Sequence, residues 1–264
     1  MDIPLFPLHT VLCPGIVVPL HVFEERYRAL TQHCLDTGQP FGVVLIKNGR
    51  EVGDRGVLSL AGVGAFAEIR QAGRYPDGRY DLLAAGTGRF AIESVDAASE
   101  PYLVAEVTPL DDEVGDEPRA ERLAASAIGR FVRYLELMRA RDGETAEELD
   151  IRVELETSAH DDDAAPAADD QVAAIVSDTA SDEVDEASTT PDLAIPDDPT
   201  VLSYLLSGIV QVELPRRQAL LEAETTVERL EALIRLLDRE VMLLTNRLRL
   251  FSPDPRLMGG ARQS

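Results

Sequence analysis

Tryptophan is absent from this chain, lysine occurs once (Lys47) and cysteine twice (Cys13, Cys34). Each scarcity removes a class of chemistry. With its lone lysine set in Ile46-Lys47-Asn48, the sequence holds no G-x-x-x-x-G-K-[ST] phosphate loop, so no ATPase module of that kind is expected. An ordinary Ser-Lys dyad goes the same way, because Lys47 is the only candidate base and Ser59, the serine nearest to it in sequence, lies beyond a glycine turn. The G-x-S-x-G and H-E-x-x-H signatures are missing as well. Two cysteines behind an acidic Met1-Asp2 start give no disulfide framework and no cationic leader, which reads as a protein of the reducing cytoplasm. Apolar runs are only a few residues long, against the ~20 that a membrane-crossing helix needs, so no membrane partner is expected.

The residues that remain as candidates for metal or nucleophilic chemistry are His9, Cys13, His21, His33 and Cys34. Their spacing argues against both roles. Pro7 and Pro14 forbid a helix that would put His9 and Cys13 on one face, and no C-x-x-C pair is present. Cys34 falls on the apolar side of its helix, where a thiol packs as a small hydrophobe. The expectation is therefore a non-enzymatic protein with no catalytic, cofactor-binding or metal-binding residue.

The net charge of −23 is unevenly distributed. Between Asp142 and Thr200 there are 20 acidic residues and one basic residue, Arg152, leaving 28 acidic and 24 basic residues elsewhere. No basic surplus exists to displace counterions from a phosphate backbone, so nucleic acid is not an expected partner.

Along the chain, Pro4, Pro7, Pro14 and Pro19 keep the opening stretch Ile3–Leu30 extended. Pro14-Gly15 predicts a type II turn between strands at 11–12 and 16–20. From Phe23 the spacing becomes helical through Tyr27, Leu30 and Cys34, and Gly38 ends that helix. Strands follow at 41–46 (closed by Asn48-Gly49), 64–71, 80–86, 89–95 and 102–110, with turns predicted at Tyr75-Pro76-Asp77-Gly78 and Gly86-Thr87-Gly88. Short strands with a single helical crossover favour a small barrel or a strongly curved sheet over residues 1–117.

A helix over 118–141 presents Leu123, Ala127, Phe131, Leu135 and Met138, with Val132 and Leu137 beside them. The acidic stretch 142–196 is too poor in large apolar residues to offset its ordering entropy and reads as disordered. A helical bundle is predicted over 197–251, and 252–264 is a tail. Its last helix begins with a Thr225/Glu228 capping box and spaces Val227, Leu230, Ile234, Leu237, Val241, Leu244 and Leu248 by 3 and 4. That coiled-coil-like face serves packing within the bundle or, alternatively, a homodimer of a structural protein. The fold class is α+β.

The segments PLFPLHTVLCPGIVVPLHVFEERYRAL (4–30), FGVVLI (41–46), VGAFAEI (63–69), PDGRYDLLAAGTGRF (76–90), PYLVAEV (101–107) and LPRRQALLEAETTVERLEALIRLL (214–237) resemble the Lon protease N-terminal, substrate-binding domain family. The resemblance covers about 1–140 and 197–250. It implies a PUA-like β pseudo-barrel with one inserted helix, followed by a C-terminal helical bundle. It also implies a binding module for unfolded or exposed polypeptide segments, acting as an adaptor for an ATP-dependent protease. The ATPase and Ser-Lys peptidase parts of full-length Lon have no counterpart here, and the acidic insertion departs from the family's shorter connection. For such a module the outward charges of the first helix, Glu25, Arg26 and Arg28, are the expected binding residues.

Overall fold

The computed structural model describes residues 1–47, 59–142 and 195–251. The Asn48-Gly49 turn, nearly all of the acidic insertion and the tail lie outside the described residues. Within them the elements run β1 (Asp2–Leu8), β2 (Val17–Val22), α1 (Glu25–Thr37), β3 (Phe41–Leu45), β4 (Val63–Arg74), β5 (Tyr80–Asp96), β6 (Leu103–Leu110), α2 (Glu117–Asp142), α3 (Pro199–Ile209), α4 (Leu214–Leu221) and α5 (Thr226–Phe251).

The six strands form one sheet in the order β2-β5-β4-β3-β1-β6, and a further β5–β6 pairing closes it on itself. Only β1 and β3 are parallel. Closure depends on β5. Its first half pairs with β2, its second half with β6, and β4 follows it nearly throughout. The expected turn at Gly86-Thr87-Gly88 does not exist, because β5 passes straight through it. Phe66 faces Gly88 while Ala67 faces Gly86, so Thr87 is the extra residue of a bulge. What Gly86 supplies is room: a Cβ there would come within 2.5 Å of the Cys13 carbonyl oxygen.

The Pro14-Gly15 turn is present, with Gly15 at φ 78° and the Ile16 N–H donating to Cys13 O (3.1 Å). It docks edge-on against Gly86, whose carbonyl accepts from Gly15 (2.8 Å) and whose N–H donates to Ile16 O (2.9 Å). Those contacts replace the expected strand at 11–12. Val11 and Leu12 are buried, contributing side chains to the core and no ladder.

Helix α1 packs Tyr27, Leu30, Thr31 and Cys34 into the barrel and ends at Gly38 in the left-handed region. Phe23, expected on that face, precedes the helix and is 62% exposed.

In the helical part, α3 starts at Pro199 with the Asp198 carboxylate accepting from Thr200 N (2.7 Å) and Val201 N (3.0 Å). The Thr225 hydroxyl accepts from Glu228 N (3.1 Å) at the head of α5. Helix α2 is turned slightly from the expected phase. Ala120, Ala124, Ala127, Phe131, Tyr134 and Leu137 are buried, whereas Val132 is exposed. Small residues on that stripe let a partner helix approach closely, and the bulkier Leu123, Leu135 and Met138 flank it. On α5 the repeat expected from the spacing buries Leu230, Leu237 and Leu244 in a core shared with α2 and α3.

Barrel and bundle meet around one carboxylate. Arg89 on β5 is 3% exposed and reaches Asp112 (Nε to Oδ1, 3.0 Å), while its Nη1 donates to Leu221 O (2.9 Å) and Ala223 O (2.7 Å) at the end of α4. Arg229 on α5 is fully buried. It donates to Leu220 O (3.2 Å), Ala223 O (3.3 Å) and Ser203 Oγ (3.1 Å), and lies 3.7 Å from Asp112. Its guanidinium sits 3.8 Å over the ring of Tyr204, whose hydroxyl donates to the same Asp112 oxygen. Two cations thus cover the last carbonyls of α4, where the helix dipole is negative.

Truncating the fully buried Arg229 leaves a cavity beneath Tyr204 and takes a donor from the Leu220 and Ala223 carbonyls and from Ser203 Oγ, which together cost about 3–5 kcal/mol. Arg229→Ala is therefore expected to lower the urea midpoint by that equivalent. Arg133→Ala, an exposed change at a pair with Glu136, is expected to stay within about 0.5 kcal/mol.

Candidate functional site

A groove of about 340 Å³ opens on the barrel where the end of β1, the end of β2 and the start of α1 converge. Its floor is apolar: Phe6, Leu8, Leu20, Val22, Tyr27 and Ile46. Phe6 and Tyr27 are stacked, with centroids 4.2 Å apart and planes 12° apart, which fixes both rings. Phe23 forms one wall, unusually exposed for a large aromatic side chain. The rim is polar, with His9, His21, Glu24 and Arg26. Arg26 lies 4.6 Å over the Tyr27 ring and donates through Nε (2.9 Å) and Nη2 (2.8 Å) to Glu24 Oε2, so the rim charges compensate one another. Burial pushes the Tyr27 phenol up, opposed by Arg26.

The three residues expected from the sequence are placed differently by the fold. Arg26 is on the rim. Glu25 is exposed in the first turn of α1, beside the groove but outside its lining. Arg28 turns to the β4–β5 hairpin, where its Nη1 donates to Asp77 O (3.2 Å). The floor went unrecognised because its residues come from three separated segments that each read as ordinary core. Phe23 carried a usable signal, since an aromatic residue just before two glutamates is a helix-start position, not one on a helix face.

The model of the ATP-dependent protease La (LON) substrate-binding domain matches residues 2–239. The chain belongs to the Lon substrate-binding domain family. Among curated relatives it is 25% identical to Lon protease of Azorhizobium caulinodans over 243 residues, 91% of this chain and 23% of that one. It is likewise 25% identical to Lon protease of Escherichia coli K12 over 245 residues, 92% of this chain and 25% of the other. A shorter match, to Lon protease of Flavobacterium johnsoniae, is 30% identical over 122 residues, 46% of this chain and 15% of that one. The chain thus spans a quarter or less of the length of these relatives.

Two solved structures share the fold of this Lon-type domain. One is a Lon N-terminal domain protein from Xanthomonas campestris, with TM-score 0.52 and 23% identity, covering 89% of this chain and 98% of that one. The other is the N-terminal domain of Mycobacterium avium complex Lon protease, with TM-score 0.55 and 18% identity, covering 90% and 98%.

Beside the groove of this Lon-type domain, His21 Nδ1 lies 2.5 Å from Asp81 Oδ1 and the Tyr75 hydroxyl donates to Asp81 Oδ2 (2.5 Å). Arg79 Nη1 faces His21 Nε2 at 3.4 Å, so Nε2 is the accepting nitrogen and Nδ1–H donates to Asp81. The Tyr75 hydrogen bond, then that of His21, holds the Asp81 carboxyl below its usual range. These groups are all solvent-exposed and tie β2 to the β4–β5 hairpin. Lys47 and Ser59 meet only through the main chain, where Lys47 N–H donates to Ser59 O (2.6 Å), and both side chains are exposed.

Both thiols lie in the core, Cys13 against Gly208 and Cys34 on the inner face of α1. Burial pushes each from about 9 up to about 11. At pH 8 neither is expected to react with iodoacetamide in the native protein, and both are expected to react once it is unfolded, which mass spectrometry reads directly. The unfolded chain loses these protons near pH 9 and the folded chain near 11. Stability from the two thiols is thus full below about pH 9 and falls as pH rises towards 11.

Proposed function

We propose that this chain is a non-catalytic receptor for unfolded or exposed apolar polypeptide segments, which it holds in the β1/β2/α1 groove on behalf of an ATP-dependent protease in the reducing cytoplasm. The observation that carries the reading is the combination of a stacked aromatic floor, the exposed Phe23 wall and a rim whose charges already satisfy one another. Such a surface attracts apolar side chains without demanding a particular charge beside them. The family to which the chain belongs is described by its substrate-binding role, which supports the same reading. Arg26 is the rim contact, where its guanidinium can spread over an incoming aromatic ring as it already does over Tyr27. Glu25 and Arg28 flank it, the latter by bracing the hairpin.

Titration of reduced, carboxymethylated lactalbumin, followed by fluorescence anisotropy, tests this. Phe23→Ala is expected to weaken binding by roughly 5- to 30-fold, the range of an aromatic anchor. Arg26→Ala is expected to weaken it by several-fold and Arg28→Ala by less. Unchanged affinity in both Phe23→Ala and Arg26→Ala would remove the groove as the site.

A further inference from the structure

The groove is bounded by two strand edges that no neighbour among the described residues completes. Among the described residues β2 pairs only with β5, and β1 pairs with β6 only as far as Leu5. Phe6–Leu8 therefore have β3 on one side and no strand on the other. Resting on the groove reading above, we propose that the bound segment is taken up as an added β-strand: an extended stretch of polypeptide pairs its backbone with these open edges while alternate side chains enter the apolar floor.

The ladder alternation shows which backbone groups are on offer. Gly86 N–H donates to Ile16 O, so Ile16 faces β5, and Val18, Leu20 and Val22 face it too. Val17, Pro19 and His21 face away. Pro19 agrees independently, because a residue without an N–H is tolerated where no strand asks for one. On β1, Ile46 N–H donates to Leu8 O, while Met1 exchanges hydrogen bonds with Val107 across β6. Odd-numbered residues of β1 therefore face away from β3, and Pro7 turns its carbonyl to the open side.

The N–H and C=O of His21 and the C=O of Pro7 are thus presented at the groove. That set of donor and acceptors suits one partner chemistry, an extended peptide backbone. Pro7 and Pro19 also limit the pairing to a short stretch, which blunts both edges against indiscriminate sheet growth.

A fluorescein-labelled nonapeptide alternating Phe or Leu with Ser, with one Lys for solubility, is the probe. It is titrated into the full chain unmodified and with a single N-methyl group at each backbone position in turn. Strand addition predicts a loss of about tenfold at alternate positions, the equivalent of one hydrogen bond, and little change between them. Retained binding with no two-residue period overturns the strand while leaving the groove reading intact. Failure of the unmodified peptide to bind overturns both. As a second measurement, His21→Pro, which deletes the edge N–H, is expected to bind about tenfold more weakly than His21→Ala, which keeps it, provided circular dichroism shows both folded. Equal affinity in these two variants counts against the strand. A probe that drives two chains together through β2, seen as a doubled mass, assigns the edge to a second copy and overturns the proposal.

Discussion

The barrel is keyed to the helices most directionally at Asp112, a single carboxylate shared by Arg89, Arg229 and the Tyr204 hydroxyl. A buried guanidinium is tolerable only if its donors are satisfied, and here the other donors go to the carbonyls that end α4, to Asp111 O and to Ser203 Oγ. The arrangement is directional. A greasy contact could slide, whereas a planar fork aimed at fixed carbonyls accepts one orientation. Desolvation lowers the Arg229 pKa, and the Asp112 and Tyr204 groups beside it oppose that shift.

The groove takes none of its lining from the helices beyond α1. α1 follows β2 directly and lays Tyr27, Leu30 and Cys34 into the barrel core beside Phe6 and Val22. The groove lies beside its first turn. Phe23 is held out there by the extended Glu24 backbone that precedes the helix, and the Phe6–Tyr27 stack seals what lies beneath.

Local punctuation was readable from residues alone. The Pro14-Gly15 and Tyr75–Gly78 turns, the cap at Thr225, the Gly38 terminus and the 3–4 repeat of α5 each rest on contacts a few residues apart. What sequence could not convey was long-range. Gly86 looked like a turn residue because its real reason, the Cys13 carbonyl, lies more than seventy positions away. Nothing local marks Arg89 and Arg229 as buried, because partners of each lie as far away in sequence. Of the three residues expected from the sequence, Arg26 alone lines the groove, whose floor was hidden among core residues of three segments.

The core shared by α2, α3 and α5 has a consequence for how the protein is made. α2 leaves the ribosome with Ala127, Phe131 and Tyr134 awaiting partners that are encoded only after residue 198. At ~5–20 residues per second that face stays unpaired for several seconds. The stretch emerging meanwhile is the most acidic in the chain, with 20 acidic residues and one basic residue between Asp142 and Thr200, and it offers that face few large apolar side chains to pair with.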